Sequence, residues 1–311
     1  LDSRRDARAA RLESLRGLPF KSPLKLREGT RREYAQHVLE NARRVYGNDL
    51  VAAEKGFKAI GLIPARLRLE IALAAQAGLG VKAFCSGGEV ILLDPAAGDD
   101  WILNKMDLGL VDQHFAPPVD ATTFDARMAF AALRMGDAEV AKRLLWSEGK
   151  ITEEAARTAS DEVATWERGG SKLASAVAPR LFVRTGDFAW RRGGAFALGL
   201  YARGGQAALD RAWARPPRST EQVIHPEKYA SDEKPVAIDP AAAGAFLAKH
   251  GYAEIYRSTL GELGAAVVLE SHFPREDLAA VSEGWAGDTF AVYEKADVPP
   301  LVLWAPEWDT E

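Results

Sequence analysis

The chain has 311 residues, of which 47% are hydrophobic, 27% charged and 9% aromatic, a make-up that excludes disorder, collagen and a disulfide scaffold. Forty Lys and Arg against 44 Asp and Glu leave a net charge of −4 with both signs interleaved, and no block is basic enough to track a nucleic-acid backbone. The longest apolar stretch, Ile71 to Val81, is broken by Gln76, Gly78 and Gly80 and falls far short of a membrane span, so no transmembrane segment is expected. The length allows one large domain or two modest ones, and one is the better reading because no clear linker interrupts the chain.

Residues 1–17 are Arg-rich and read as a helix or a flexible arm. Thr30 and Glu33 form a capping box, after which Tyr34, Val38, Ala42 and Val45 repeat at helical spacing until Gly47. Further helices are expected over 50–60 and 66–77. Two apolar runs, Val81 to Cys85 and Glu89 to Leu93, flank Ser86-Gly87-Gly88 and predict a β-hairpin. Helices then follow over 101–115, 124–146, 151–168 and 188–202, the last closed by Gly204-Gly205 with a short helix to Trp213. A polar, irregular segment runs from Arg215 to about Pro240. The last seventy residues hold a helix over 241–250, a helix or strand over 260–269, and strands at 289–294 and 301–304.

Several blocks stand out from this pattern. They are Asp112-Gln-His-Phe115, Met135-Gly-Asp-Ala138, Phe188-Ala-Trp190, Gly193-Gly-Ala-Phe196, Ser219-Thr-Glu-Gln-Val-Ile-His-Pro-Glu-Lys-Tyr229, Thr259-Leu-Gly-Glu-Leu263 and Gly284-Trp-Ala-Gly-Asp288. In this order they resemble a family of bacterial, mostly exported or lipid-anchored proteins related to zinc metallopeptidases, over about residues 18–311. The resemblance implies an α+β, mainly helical zincin-like domain with a small antiparallel sheet, spanning residues 1–311. It also implies an extracytoplasmic place, periplasmic or at the cell envelope. A start at Leu1 rather than Met fits a processed or trimmed chain, in which any upstream signal peptide or lipid anchor would be out of view.

In that family the helix before the Asp-Gln-His-Phe block carries His-Glu-x-x-His, and a Glu precedes Gly-Asp-Ala. Two histidines four residues apart lie on one helix face and bind zinc, the Glu takes a proton from zinc-bound water, and the third ligand comes from the next helix. Counting back from Asp112, the first histidine position is Asn104, the glutamate position is Lys105 and the second histidine position is Leu108; the third-ligand position is Met135. Leu cannot coordinate zinc, Asn is a poor ligand, a thioether prefers softer ions, and Lys105 puts a cation where the base should be. The expectation is therefore a catalytically inactive metallopeptidase-like protein with no catalytic residue, metal or cofactor. It would act as a binding or scaffolding module for a peptide or protein ligand.

Candidate cleft residues are Asp107, His114, Asp137, Glu221, His225 and Tyr229. Lys105 is expected to pair with an acid such as Asp107, Asp137 or Glu221. His114 lies beyond the ligand positions and reads as a structural hydrogen-bonder. His225, with Glu221, Glu227 and Tyr229, reads equally as a substrate-binding group or as part of a rigid loop fixed by Pro226. His37, His250 and His272 read as solvated or locally paired, and Cys85, the sole cysteine, as a small packed residue. Leu103, Met106 and Leu110 form a core stripe. Two alternatives stand beside this reading: a peptidase with its metal moved to Asp107, His114, Asp137 and His225, and a purely structural envelope component.

Overall fold

The computed structural model describes residues 2–76, 80–146, 150–169, 179–274 and 277–309. Helix α1 (Asp2–Arg16) leads into strand β1 (Lys25–Glu28), helices α2 (Arg31–Tyr46), α3 (Leu50–Ala59) and α4 (Leu69–Gln76), and the hairpin β2 (Ala83–Ser86) and β3 (Glu89–Leu92). The long helices α5 (Asp99–His114), α6 (Phe124–Trp146) and α7 (Glu153–Gly169) follow, then α8 (Arg180–Asp187), a π-helical turn (Phe188–Arg192) and α9 (Gly193–Ala214). The remainder is α10 (Thr220–Ile224), α11 (Pro226–Ala230), α12 (Ala241–Lys249), β4 (Ala253–Ser258), α13 (Gly261–Leu269), α14 (Leu278–Ser282), β5 (Trp285–Glu294) and β6 (Leu301–Trp308). The fold is α+β and mainly helical. Among the described residues no helix is long and apolar enough to cross a membrane.

Local chemistry explains most boundaries. Thr30 caps α2: its Oγ1 accepts from the Glu33 amide, while the Glu33 carboxylate accepts from the Thr30 amide at 2.7 Å. Asp49 caps α3 by accepting from the Ala52 amide. Helix α4 starts at Leu69, later than position 66, because the Leu69 amide donates to Glu54; the predicted helix end at Ala77 lies outside the described residues. Helix α9 kinks where predicted, with Gly205 at φ +61°. Within the expected irregular segment, Ser219 caps the short helix α10 and Pro226 opens α11.

Two three-stranded sheets form, in orders β1-β3-β2 and β4-β5-β6. The second is antiparallel, as expected, but the first is mixed, since β1 runs parallel to β3. β1 and β4 are additions to the predicted elements. Strand β5 begins at Trp285 rather than Thr289 and is buried along almost its whole length. Helix α3 covers one side of it so closely that a Cβ on Gly56 would lie 2.4 Å from the Val292 Cγ2. The main core joins this sheet to the helices through Phe57, Phe124, Phe196, Phe290 and Val292. A second core packs Leu12 of α1 against Leu24, Leu103 and Met106.

Helices α6 and α9 cross in near backbone contact. A Cβ on Gly136 would sit 2.0 Å from the Gly193 carbonyl oxygen, and one on Gly193 would sit 2.2 Å from that of Ala132. This packing sets Met135 and Trp190 beside the middle of α5. It gives two of the singled-out blocks a steric reason for their glycines.

Candidate functional site

The positions degenerate by resemblance lie close together. Lys105 and Leu108 on α5 and Met135 on α6 line one cleft of about 340 Å³, and Asn104 neighbours Lys105 on the same helix. Further walls come from Tyr34 and His37 on α2, Phe84 and Cys85 on β2, Trp101 on α5 and Trp190 on the π turn. Leu108 and Met135 pack with Cys85 and Ala138, so apolar side chains occupy two of the four positions.

Lys105 is 9% exposed. Its ammonium donates to the Asn104 Oδ1 at 2.9 Å and sits 5.8 Å and 5.4 Å from the Trp101 and Trp190 ring centroids. The expected pairing with Asp107, Asp137 or Glu221 does not form, because those acids hold other cations. Burial, reinforced by the Arg134 charge, lowers the Lys105 pKa to about 8.

His37 is locally paired, one of the two readings expected for it, and it also lines this cleft. Burial holds its pKa down to about 4. Its Nε2 faces the Asn41 Nδ2 at 2.9 Å and accepts from it, so the neutral ring carries its hydrogen on Nδ1. Cys85 is packed, and burial pushes its thiol up to about 11, which removes it as a nucleophile.

Asp107 and Asp137 are fully buried and lie outside any open cleft. Both face Arg16, from the arm: its Nε lies 3.2 Å from the Asp107 Oδ1, and its Nη2 donates to the Asp137 Oδ2 at 2.6 Å. The Trp213 Nε1 donates to the same Asp137 oxygen at 2.6 Å. Burial raises both carboxyl pKa values and Arg16 opposes the shift. One guanidinium serving two buried acids leaves a site that favours one proton.

The Asp112 to Phe115 block ties the arm and core together. Asp112 pairs with Arg134 through two hydrogen bonds of 2.7 and 2.5 Å, Gln113 exchanges two bonds with the Ser22 backbone, and the His114 Nε2 meets the Pro19 carbonyl at 2.7 Å. Phe115 stacks on Trp213 with centroids 4.6 Å apart. The structural reading of His114 fits this geometry. A relocated centre made of Asp107, His114, Asp137 and His225 does not assemble, since Arg16, Pro19 and Glu262 engage those groups separately.

The Ser219 to Tyr229 block is knotted by its own side chains. Ser219 caps α10, the Thr220 amide and hydroxyl both donate to the Asp125 Oδ1, and the Tyr229 hydroxyl donates to the Arg215 carbonyl at 2.9 Å. Burial lifts Asp125 to about 8. The nearby Asp288 accepts from the Leu260 and Gly261 amides and from the Trp285 Nε1. A Cβ on Gly261, at φ +72°, would lie 1.9 Å from the Asp125 Oδ1. Glu221, Glu233 and Asp309 converge closely enough to resemble a cation site, but the Lys228 ammonium fills it at 2.6, 2.8 and 2.6 Å. Of the candidate cleft residues, His225 borders a cavity. It meets Glu262 at 3.1 Å, and that contact raises its pKa. The surrounding space, about 350 Å³, is walled by Phe188, Ile224, Leu263 and Leu278, with Arg192 paired to Glu167 and Arg184 facing Glu270.

Sequence reasoning missed Arg16, His37, Trp101, Trp190 and Glu262. Only Trp190 and Glu262 stood in blocks that drew notice; the others carry no local signal. Residues 250–311, covering β4 to β6, match a domain of unknown function (DUF8575). No curated protein and no solved structure matches the chain.

Proposed function

We propose that the protein is a catalytically inactive metallopeptidase-like binding module whose ligand site is the cleft over Lys105. The observation that carries this reading is the convergence of Lys105, Leu108 and Met135 on one solvent-reachable cleft. Lys105 and Leu108, three residues apart on one helix face, meet Met135 of the next helix at this cavity, which is the arrangement the resemblance implies. Their present side chains offer an ammonium, an isobutyl group and a thioether, which supply neither a base nor a hard-ion ligand set. The Asp112, Ser219 and Thr259 blocks support the same view, because their side chains tie loops and helices together and none of them lines the cleft. An extracytoplasmic place, at the cell envelope, belongs to this proposal and follows the resemblance. The ligand class expected is a peptide or protein segment.

Back-substitution tests the positional argument. The quadruple variant Asn104→His, Lys105→Glu, Leu108→His and Met135→Glu rebuilds the donor set. It is expected to bind about one zinc per chain, read by isothermal titration, while the parent binds none. A folded quadruple variant that binds no zinc would refute the assignment of these positions.

A further inference from the structure

The Lys105 cleft has a chemical polarity that narrows its ligand. No carboxylate is among the residues that line it. Of its two permanent cations, Arg134 is neutralised by Asp112, whereas the Lys105 ammonium has one neutral acceptor, the Asn104 Oδ1, and two aromatic faces. Two more donors, the Nδ1 of the lining residue His37 and the Nδ2 of Asn104, next to Lys105 on α5, are buried without an acceptor. Their N–H dipoles add positive potential in a low-dielectric setting, where an unmatched polar group is costly. Apart from Asn41, Cys85 and Met135 the rest of the wall is aromatic or aliphatic, and Trp190 is 37% exposed. A volume of about 340 Å³ is at the small end of ligand pockets.

Resting on the binding reading above, we propose that this cleft receives a carboxylate carried on an apolar or aromatic group, with the Lys105 ammonium as its counter-ion. The carboxylate would gain charge-assisted hydrogen bonds from the ammonium, and the apolar group would cover Trp101, Leu108 and Met135. Two sources share this chemistry: the carboxyl terminus of a peptide ending in an apolar residue, and a small free acid.

The groups facing Lys105 are Arg134 and Lys142 on α6, His37 on α2 and Cys85 on β2. His37 is neutral above about pH 4 and Cys85 below about pH 11, and Lys142 is paired with Glu139. The Tyr34 phenol, also in the wall, is raised above its ordinary value by burial, so Lys105 is the lining group that titrates between about pH 4 and 10, and carboxylate binding weakens once it loses its proton.

The test is a titration followed by tryptophan fluorescence, since Trp101 and Trp190 flank the ammonium. The probes are the tripeptide Ala-Ala-Phe, its carboxamide, and 3-phenylpropionate. The acid tripeptide is expected to bind at least about tenfold more tightly than the amide, and Lys105→Met to erase that preference. Lys105→Gln provides a second variant if the first fails to fold. Binding of 3-phenylpropionate as tight as the tripeptide's supports a free acid as the ligand. Tight binding of the tripeptide alone supports a chain terminus. Equal binding of acid and amide, or a preference that survives both variants, overturns the carboxylate proposal and leaves a binding module. Absence of any binding overturns both.

Discussion

Arg16 supports a demanding prediction, because it comes from the segment that looked least structured. Arg16→Met leaves Asp107 and Asp137 buried, both at 0% exposure, with no cation between them. Breaking a buried ion pair by removing one partner costs roughly 3–5 kcal/mol. With a urea slope of about 3 kcal/mol per molar, the unfolding midpoint should fall by about 1–1.7 M. The pH dependence has a definite sign. Both carboxyls have pKa values raised in the folded state, so folding favours their protonated forms, and the stability they contribute is lost as pH rises above the unfolded value near 3.8. Without Arg16 they rise further, so the gap between variant and parent should be smaller at pH 4.5 than at pH 8. Adding Asp107→Asn and Asp137→Asn removes the buried charges and should recover most of the loss. Urea titrations by circular dichroism at both pH values measure all of this. A loss below about 1 kcal/mol, or a gap that is the same at both pH values, would refute the reasoning.

Further predictions follow from the same geometry. Gly193→Ala forces a Cβ to 2.2 Å from the Ala132 carbonyl oxygen and should lower stability by at least about 1–3 kcal/mol, read as a drop in melting temperature. Lys105→Met should stabilise the fold near neutral pH. The folded Lys105 pKa, about 8 against 10.5, leaves a desolvation cost of about 2–3 kcal/mol below pH 8 that fades as pH rises to 10.5, so the advantage over the parent should shrink across that window in thermal melts. Lys228→Met leaves Glu221, Glu233 and Asp309 facing one another, and the variant should regain stability in high salt or with added calcium, which thermal melts would detect.

The legible parts of the fold are those with short-range causes. The Thr30 capping box, the apolar period of α2 and the Ser86-Gly87-Gly88 turn all act within a few residues, and each element stands where its signal predicts. β1 was illegible because Lys-Leu-Arg-Glu has one apolar residue and owes its strand to pairing with β3. β4 is an exposed edge strand whose partner is thirty to forty residues away in sequence. The early residues of β5, Trp-Ala-Gly-Asp, lie before the predicted strand start at 289, yet the ladder to β6 and the cover from the Val236 segment make them strand. The π turn has no sequence mark beyond the glycines that follow it.

For the site, resemblance named the degenerate positions and the structure brings three of them to one cavity. It did not foresee how the acids would be used. Asp107 and Asp137 lie seven and two residues from notable landmarks, but their partner is Arg16, more than ninety positions from Asp107. Long-range pairings of this kind are fixed by tertiary packing, and no spacing rule encodes them.

The proposed function holds that the Lys105 cleft binds no metal, and elemental mass spectrometry of the purified protein after dialysis against trace zinc tests it most directly. The account predicts metal at background. A near-stoichiometric ion would contradict it and move the search to His225, Glu262 and the acids around Lys228.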